Sequence, residues 1–171
     1  MKYSLLKSGL NSKNYTYNKT FQYDKELDDI SSLSSDIANA LCDLNYKFNL
    51  SLNGKIIPVE IWGDLPYFID GFSDYMKFIF VQKECQYDYS LSEQGTETII
   101  KLQLNEEDVM ISEDNFLKGK YAVPIKELQD DALLFFTELL KVVQDIIPNI
   151  LLTDLFKSWE EEVRDSLKTR I

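Results

Sequence analysis

The chain contains no histidine. That absence removes His-based catalytic triads, imidazole metal ligands and the commonest general acid–base group near neutral pH. Cysteine is scarce too, with two residues in 171. Cys42 and Cys85 stand too far apart for zinc-ligand spacing, and two thiols make no disulfide framework. Six glycines and four prolines are too scattered for a phosphate-cradling loop or a disordered linker. No EF-hand frame surrounds the acidic runs. Gly71-Phe72-Ser73-Asp74-Tyr75 starts like a nucleophile elbow but has Tyr where the second Gly belongs, and it lies within a helical pattern. No cofactor, no metal and no enzymatic activity are expected.

Basic residues are also in deficit, 18 against 29 acidic, for a formal net charge of −11. A free-standing nucleic-acid binder needs the opposite sign to displace counterions, and an anionic membrane surface is disfavoured for the same reason. Long apolar runs are missing: stretches such as Leu133–Phe136 fall far short of the ~20 residues that span a bilayer. The opening MKYSLLKSGLNSKNY holds no apolar run fit for a secretory leader, so a reduced, cytoplasmic setting is expected. The glycosylation-like tripeptides at Asn14, Asn18 and Asn49 are then chance matches.

What is present is a strong helical pattern from Pro124 to Ile147. Ile125, Leu128, Ala132, Phe135, Leu139, Val143 and Ile146 line one face, with charged residues behind them. Pro124 suits a first helical position and Pro148 ends the run. This helix is expected to be the packing spine of one domain spanning residues 1–171. Upstream, Tyr15, Tyr17, Phe21 and Tyr23 alternate like an edge strand or a row of surface contacts. Leu27, Ile30, Leu33, Ile37, Leu41 and Leu44 predict a helix over Asp24–Leu44 whose serine-rich first half frays. Cys42 lies at the edge of that stripe as a part-buried structural thiol.

Tyr46–Trp62 predicts a hairpin, because Asn53-Gly54 is the preferred type I′ pair. It sets Leu52 against Lys55, Leu50 against Ile57, Phe48 against Val59 and Tyr46 against Ile61. Pro58 puts the second strand at an edge. Asp64 caps a helix that contains Gly71, a site for a kink or close packing. Cys85 to Leu91, Ile100 to Leu104 and Val109 to Ile111 read as a meander, with a further short strand at Tyr121–Val123. After Pro148, Leu152 to Leu167 form a last amphipathic helix with Thr153 as N-cap. The sum is an α+β fold, an antiparallel sheet of hairpin plus meander with helices packed on one face.

The acidity invites two readings. One is solubility alone. The other is attraction and faster approach of a basic protein partner. The candidate contact residues are Glu106, Glu107, Asp108, Glu113 and Asp114, which gather at one end of the sheet if the second meander turn and the loop before the spine share that end. Exposed aromatics such as Tyr15, Tyr17, Tyr87 or Tyr89 would serve as anchors beside them, although Tyr87 and Tyr89 fit the sheet's second face equally.

By size, acidity, lack of catalytic apparatus and α+β outline, the chain resembles bacterial immunity proteins that neutralise toxins. Val59-Glu60-Ile61-Trp62-Gly63-Asp64-Leu65, read as a strand running into a capped helix, is similar to a stretch in small proteins found beside such toxins. The resemblance implies occlusion of a basic, nuclease-like toxin face by an acidic surface. The alternatives are a small-ligand-binding domain with a pocket between sheet and long helix, and a scaffold that self-associates through an apolar face such as the last helix around Trp159. The sequence leaves the oligomeric state open.

Overall fold

Asn53 and Gly54 take positive φ values of 50° and 73°, the left-handed geometry that a two-residue hairpin turn requires. The turn joins β2 (Tyr46–Leu52) to β3 (Lys55–Ile57). Leu52 pairs with Lys55 and Leu50 with Ile57, as the alternation predicts. The ladder then stops at Pro58, which has no amide to continue it. Phe48 and Tyr46 therefore never meet Val59 and Ile61. Their ladder partners lie on the other side, in β1 (Lys2–Lys7), where Leu5 faces Phe48 and Lys7 faces Tyr46. The computed structural model describes residues 1–8, 19–91, 98–113 and 119–168. Tyr15, Tyr17, Asp114 and the loop after Leu91 lie outside them. Residues 19–23 are not strand, and Phe21 packs into the core instead.

A second antiparallel sheet runs β4 (Gln86–Leu91), β5 (Thr98–Asn105), β6 (Asp108–Glu113) and β7 (Gly119–Pro124), in sequence order. The meander is thus a separate four-stranded sheet beside the three-stranded one, and its last strand is longer than Tyr121–Val123. Its inner face carries Tyr89, Ile100, Leu102, Val109 and Ile111, all buried. Its outer face shows Asp88, Lys101, Ser112 and Lys120 in one cross-strand row.

The helices are α1 (Ile30–Asp43), α2 (Asp64–Asp70), α3 (Phe72–Val81), α4 (Ile125–Ile146) and α5 (Asp154–Lys168), with a 3-10 turn at Pro148–Leu152. α1 starts later than its apolar stripe. Asp29 accepts from the Ser31 and Ser32 amides as N-cap, while Asp24 and Asp28 tie up nearby amides in a preceding turn. Such local side-chain bonds compete with helix. Cys42, on this helix, is exposed rather than part-buried. The Thr153 hydroxyl accepts from the Phe156 amide at 3.2 Å, so the expected cap of α5 forms.

No strand runs directly into α2: residues 58–60 are irregular and residues 61–63 form a turn. Asp64 is the first helical residue rather than the cap, and its carboxylate accepts from the Glu60 amide at 2.7 Å. α4 lies along the edge strand β1. Glu138 accepts from the Leu5 amide at 3.4 Å, and Asp131 sits 3.9 Å from the amine of Met1. These acids are spaced to share one face of α4, so the helix covers an edge that would otherwise be open to pairing.

Phe68 of α2 is the centre of the core. Its ring contacts those of Tyr3, Phe48, Phe72, Tyr75, Tyr89 and Phe135, which come from both sheets, α3 and α4. α4 contributes Phe135 and Phe136 to this cluster, but the rings converge on α2 and α3. Trp159 of α5 is 3% exposed, and its indole N–H donates to the Ile69 carbonyl at 3.1 Å.

Candidate functional site

Asp70 ends α2 and Asp74 lies in the first turn of α3. Between them, Gly71 interrupts the helix without breaking its course. Its amide donates to the Tyr67 carbonyl at 3.0 Å, and its carbonyl accepts from the Tyr75 amide at 3.0 Å. Residues 67, 70 and 74 therefore share one face at helical spacing. α1 packs against α2 and brings its capping residue, Asp29, to the same place. Burial, followed by the nearby carboxylates of Asp29 and Asp74, raises the Asp70 carboxyl above its ordinary range. Tyr67 stands 57% exposed one turn before Asp70, and Trp62 is exposed just ahead of α2. Two exposed aromatics thus accompany the carboxylates, Tyr67 on the same helix and Trp62 ahead of it.

The acidic face runs on into a groove of about 660 Å3 between α3, α5 and the start of β4. Phe78, Val81 and Tyr87 form its apolar wall, and Asp74, Glu162 and Asp165 stand among its acids. The Lys77 ammonium lies within it, 3.0 Å from Asp74 and 2.7 Å from Glu162. These two hydrogen bonds, Glu162 first, push the Lys77 amine above its usual range. The Tyr87 hydroxyl donates to the Gly71 carbonyl at 3.1 Å, which fixes the ring as one wall.

The acids singled out by sequence do not assemble as expected. Glu106 and Glu107 form the exposed β5–β6 turn, and Asp108 opens β6. Glu113 closes β6, so about 17 Å of strand separates it from Asp108 at ~3.4 Å per residue. The turn and the Glu113–Gly119 pair that closes the β6–β7 ladder consequently lie at opposite ends of the sheet. Glu113 also points inward, in register with Ile100, and is 1% exposed. Asp114 lies outside the described residues. The turn has a structural task of its own: the Glu107 carbonyl accepts from the Ile125 amide at 3.0 Å, which sets three acids against the N-terminus of α4. Tyr89 is buried and Tyr87 half-buried, so neither is a free anchor. The apolar face around Trp159 is likewise covered.

Sequence reasoning missed the Asp29–Asp70–Asp74 face because its members come from separate elements. One signal was available. Asp70, Asp74 and Lys77 keep helical spacing through Gly71, which marks a charged stripe opposite Leu65, Phe68 and Phe72. Among the described residues, no group of three or more metal-binding side chains is arranged to hold a metal ion, and no helix is long and apolar enough to cross a membrane.

No family model matches the chain, and no curated protein and no solved structure matches it either. Its class is therefore given by its own geometry: an α+β fold with, among the described residues, two antiparallel sheets and five helices.

Proposed function

We propose that this chain is a non-catalytic, acidic protein-binding domain that works by covering a basic surface of its partner, in the manner of the immunity proteins it resembles. The observation that carries this reading is the convergence of Asp29, Asp70 and Asp74 beside exposed Tyr67. Holding a part-buried carboxylate beside two others costs stability: burial first, then Asp29 and Asp74, raises the Asp70 carboxyl. A surface kept at such a cost suits a partner that neutralises it. The partner class is a basic toxin, nuclease-like, whose active face is occluded. Exposed free thiols at Cys42 and Cys85 suit a reduced, cytoplasmic setting.

The test is affinity capture from the native host at low salt, followed by purification of whatever binds and a competition assay. A basic protein whose activity falls on stoichiometric addition of this chain is the expected result. Recovery of acidic proteins alone would sink the reading.

A second reading, small-ligand binding, is favoured by the groove volume, which lies within the range of about 300–1,000 Å3 typical of ligand sites. The space between sheet and long helix, where such a pocket was expected, is occupied by the Phe68 ring cluster. A small molecule that co-purifies and protects Tyr87 would favour this reading instead.

A further inference from the structure

We propose that Tyr87 of β4 is the positioning residue of the Asp29–Asp70–Asp74 face: its hydroxyl fixes the α2–α3 junction across which Asp70 and Asp74 converge. The inference deepens the protein-binding reading and rests on it for the use of that face.

The junction needs a tie from outside the two helices. The Gly71 ψ of 1° lies far from the roughly −42° of a regular helix, so repeating helix geometry does not lock α2 to α3. α2 has seven residues, and isolated helices under about 12 residues are marginal in water. Neither helix receives a side-chain bond at its N-cap. The Tyr87 hydroxyl supplies what they lack, at 3.1 Å from the Gly71 carbonyl. That carbonyl also accepts from the Tyr75 amide at 3.0 Å, a bond that carries the helix across the junction. Glycine permits the approach, since an added Cβ would lie 3.0 Å from the hydroxyl.

The tie is anchored at its far end. Tyr87 pairs with Leu102 in the β4–β5 ladder, and its ring packs against Tyr75 at 5.7 Å and Phe78 at 5.8 Å, both on α3. Burial first, then the Asp74 and Asp70 carboxylates, pushes the Tyr87 phenol up, so the hydroxyl lies between the acids whose positions it sets.

Without the tie the face would spread. Asp29 and Asp70 stand on the α1–α2 side of the junction. Asp74 stands on the α3 side, where Lys77 binds it at 3.0 Å and also reaches Glu162 of α5 at 2.7 Å. Repulsion between the carboxylates and this link to α5 both draw Asp74 away from Asp70.

The experiment is an NMR titration of the Asp70 carboxyl in the full chain, in Tyr87→Phe, in Asp74→Asn and in the double variant. Phenylalanine keeps the ring and removes only the hydroxyl. In Tyr87→Phe the Asp70 carboxyl should titrate lower than in the native chain, toward the ordinary aspartate range, as Asp74 moves off. Adding Tyr87→Phe to Asp74→Asn should change it much less, because that neighbour is already neutral. A bond that only stabilised the fold would lower the melting temperature and leave the folded-state titration in place. Tyr87→Leu repeats the test if the phenylalanine variant does not give a native spectrum. An unchanged Asp70 titration, or an equal change with and without the Asp74 charge, overturns the positioning role. The same samples are then titrated at low salt with a capped pentalysine peptide. Binding that maps to residues 29 and 67–74, about twofold weaker in Tyr87→Phe as the charges disperse, is expected. Equal binding by both chains overturns the positioning role and leaves the protein-binding reading standing. Failure of the native chain to bind the peptide at this face overturns the protein-binding reading itself.

Discussion

The ring of Phe68 stacks on that of Tyr3 at 4.3 Å, an interplanar angle of 23°. This contact joins α2 to the first strand and sits within a shell of four further phenylalanine and tyrosine rings at up to 5.7 Å, with Tyr75 at 6.3 Å. Phe68→Ala removes the common neighbour of both sheets and cannot be refilled from one side. Its cost should be about 3–5 kcal/mol, the upper range for a buried aromatic truncated to alanine. Chemical denaturation checks this. A loss under 1.5 kcal/mol, the scale of a tolerated volume-conserving core swap, would mean the core closes around the gap.

Asp70→Asn should separate stability from binding. The raised carboxyl means that the folded state holds the proton more tightly than the unfolded chain. Stability therefore falls as pH rises from the ordinary aspartate range, ~3.9, through the raised folded value. Asparagine removes that fall. The variant should be more stable than the native protein at neutral pH, by up to about 0.5 kcal/mol for a part-exposed site, and no different below about pH 3.5. It should also bind the partner more weakly. Paired thermal melts at two pH values and a binding curve make the comparison. A variant that loses both stability and binding would show that Asp70 is structural.

Among the described residues the buried Tyr89 hydroxyl has no hydrogen-bond partner, and burial pushes its phenol well above the usual range. An unsatisfied buried polar atom costs about 1–3 kcal/mol. Tyr89→Phe keeps the edge-to-face contact with Phe68 at 5.5 Å and deletes only that oxygen. The variant should be more stable, by about 1 kcal/mol after partial compensation. A loss of similar size would identify a hydrogen-bonded water on this hydroxyl.

Gly71→Ala tests the groove wall. The added methyl would lie 3.0 Å from the Tyr87 hydroxyl. Gly71 is the junction between α2 and α3, so the ~1 kcal/mol that alanine gains in a helix interior is recovered only in part. Stability should therefore fall by about 1 kcal/mol as the Tyr87–Gly71 hydrogen bond is lost and the ring shifts. Chemical denaturation and the NMR resonances of the Tyr87 ring check this. Unchanged stability with unmoved resonances would mean that the ring accommodates the methyl and keeps its hydrogen bond.

Local chemistry was legible in the chain and long-range assembly was not. Asn53-Gly54 gave the hairpin register as far as Ile57, and Thr153 marked the start of α5. Gly71 reads in the sequence as a kink or a close-packing site inside one helix, and it divides that segment into α2 and α3. β1 escaped notice because its residues read as polar with a few apolar anchors. Its inward face is short, Tyr3 and Leu5 beside Met1, and only pairing with β2 reveals it. The acidic site failed for a related reason. Glu106 and Glu113 are near in sequence yet lie at opposite ends of a strand, whereas Asp29 and Asp70 are distant in sequence and meet where α1 packs on α2. Charge clustering along a chain reports proximity only within a turn or a helical repeat.

The central claim is that the Asp29–Asp70–Asp74 face docks a basic macromolecule. Its most direct test is the association rate of the captured basic partner, measured by stopped flow across ionic strengths. The native chain should be compared with the triple variant Asp29→Asn, Asp70→Asn and Asp74→Asn, in which asparagine still caps α1. The account predicts a rate that falls steeply with salt for the native chain, and a triple variant slower by roughly tenfold or more at low salt with a flatter salt dependence. Equal rates and equal salt slopes for the two proteins would contradict it.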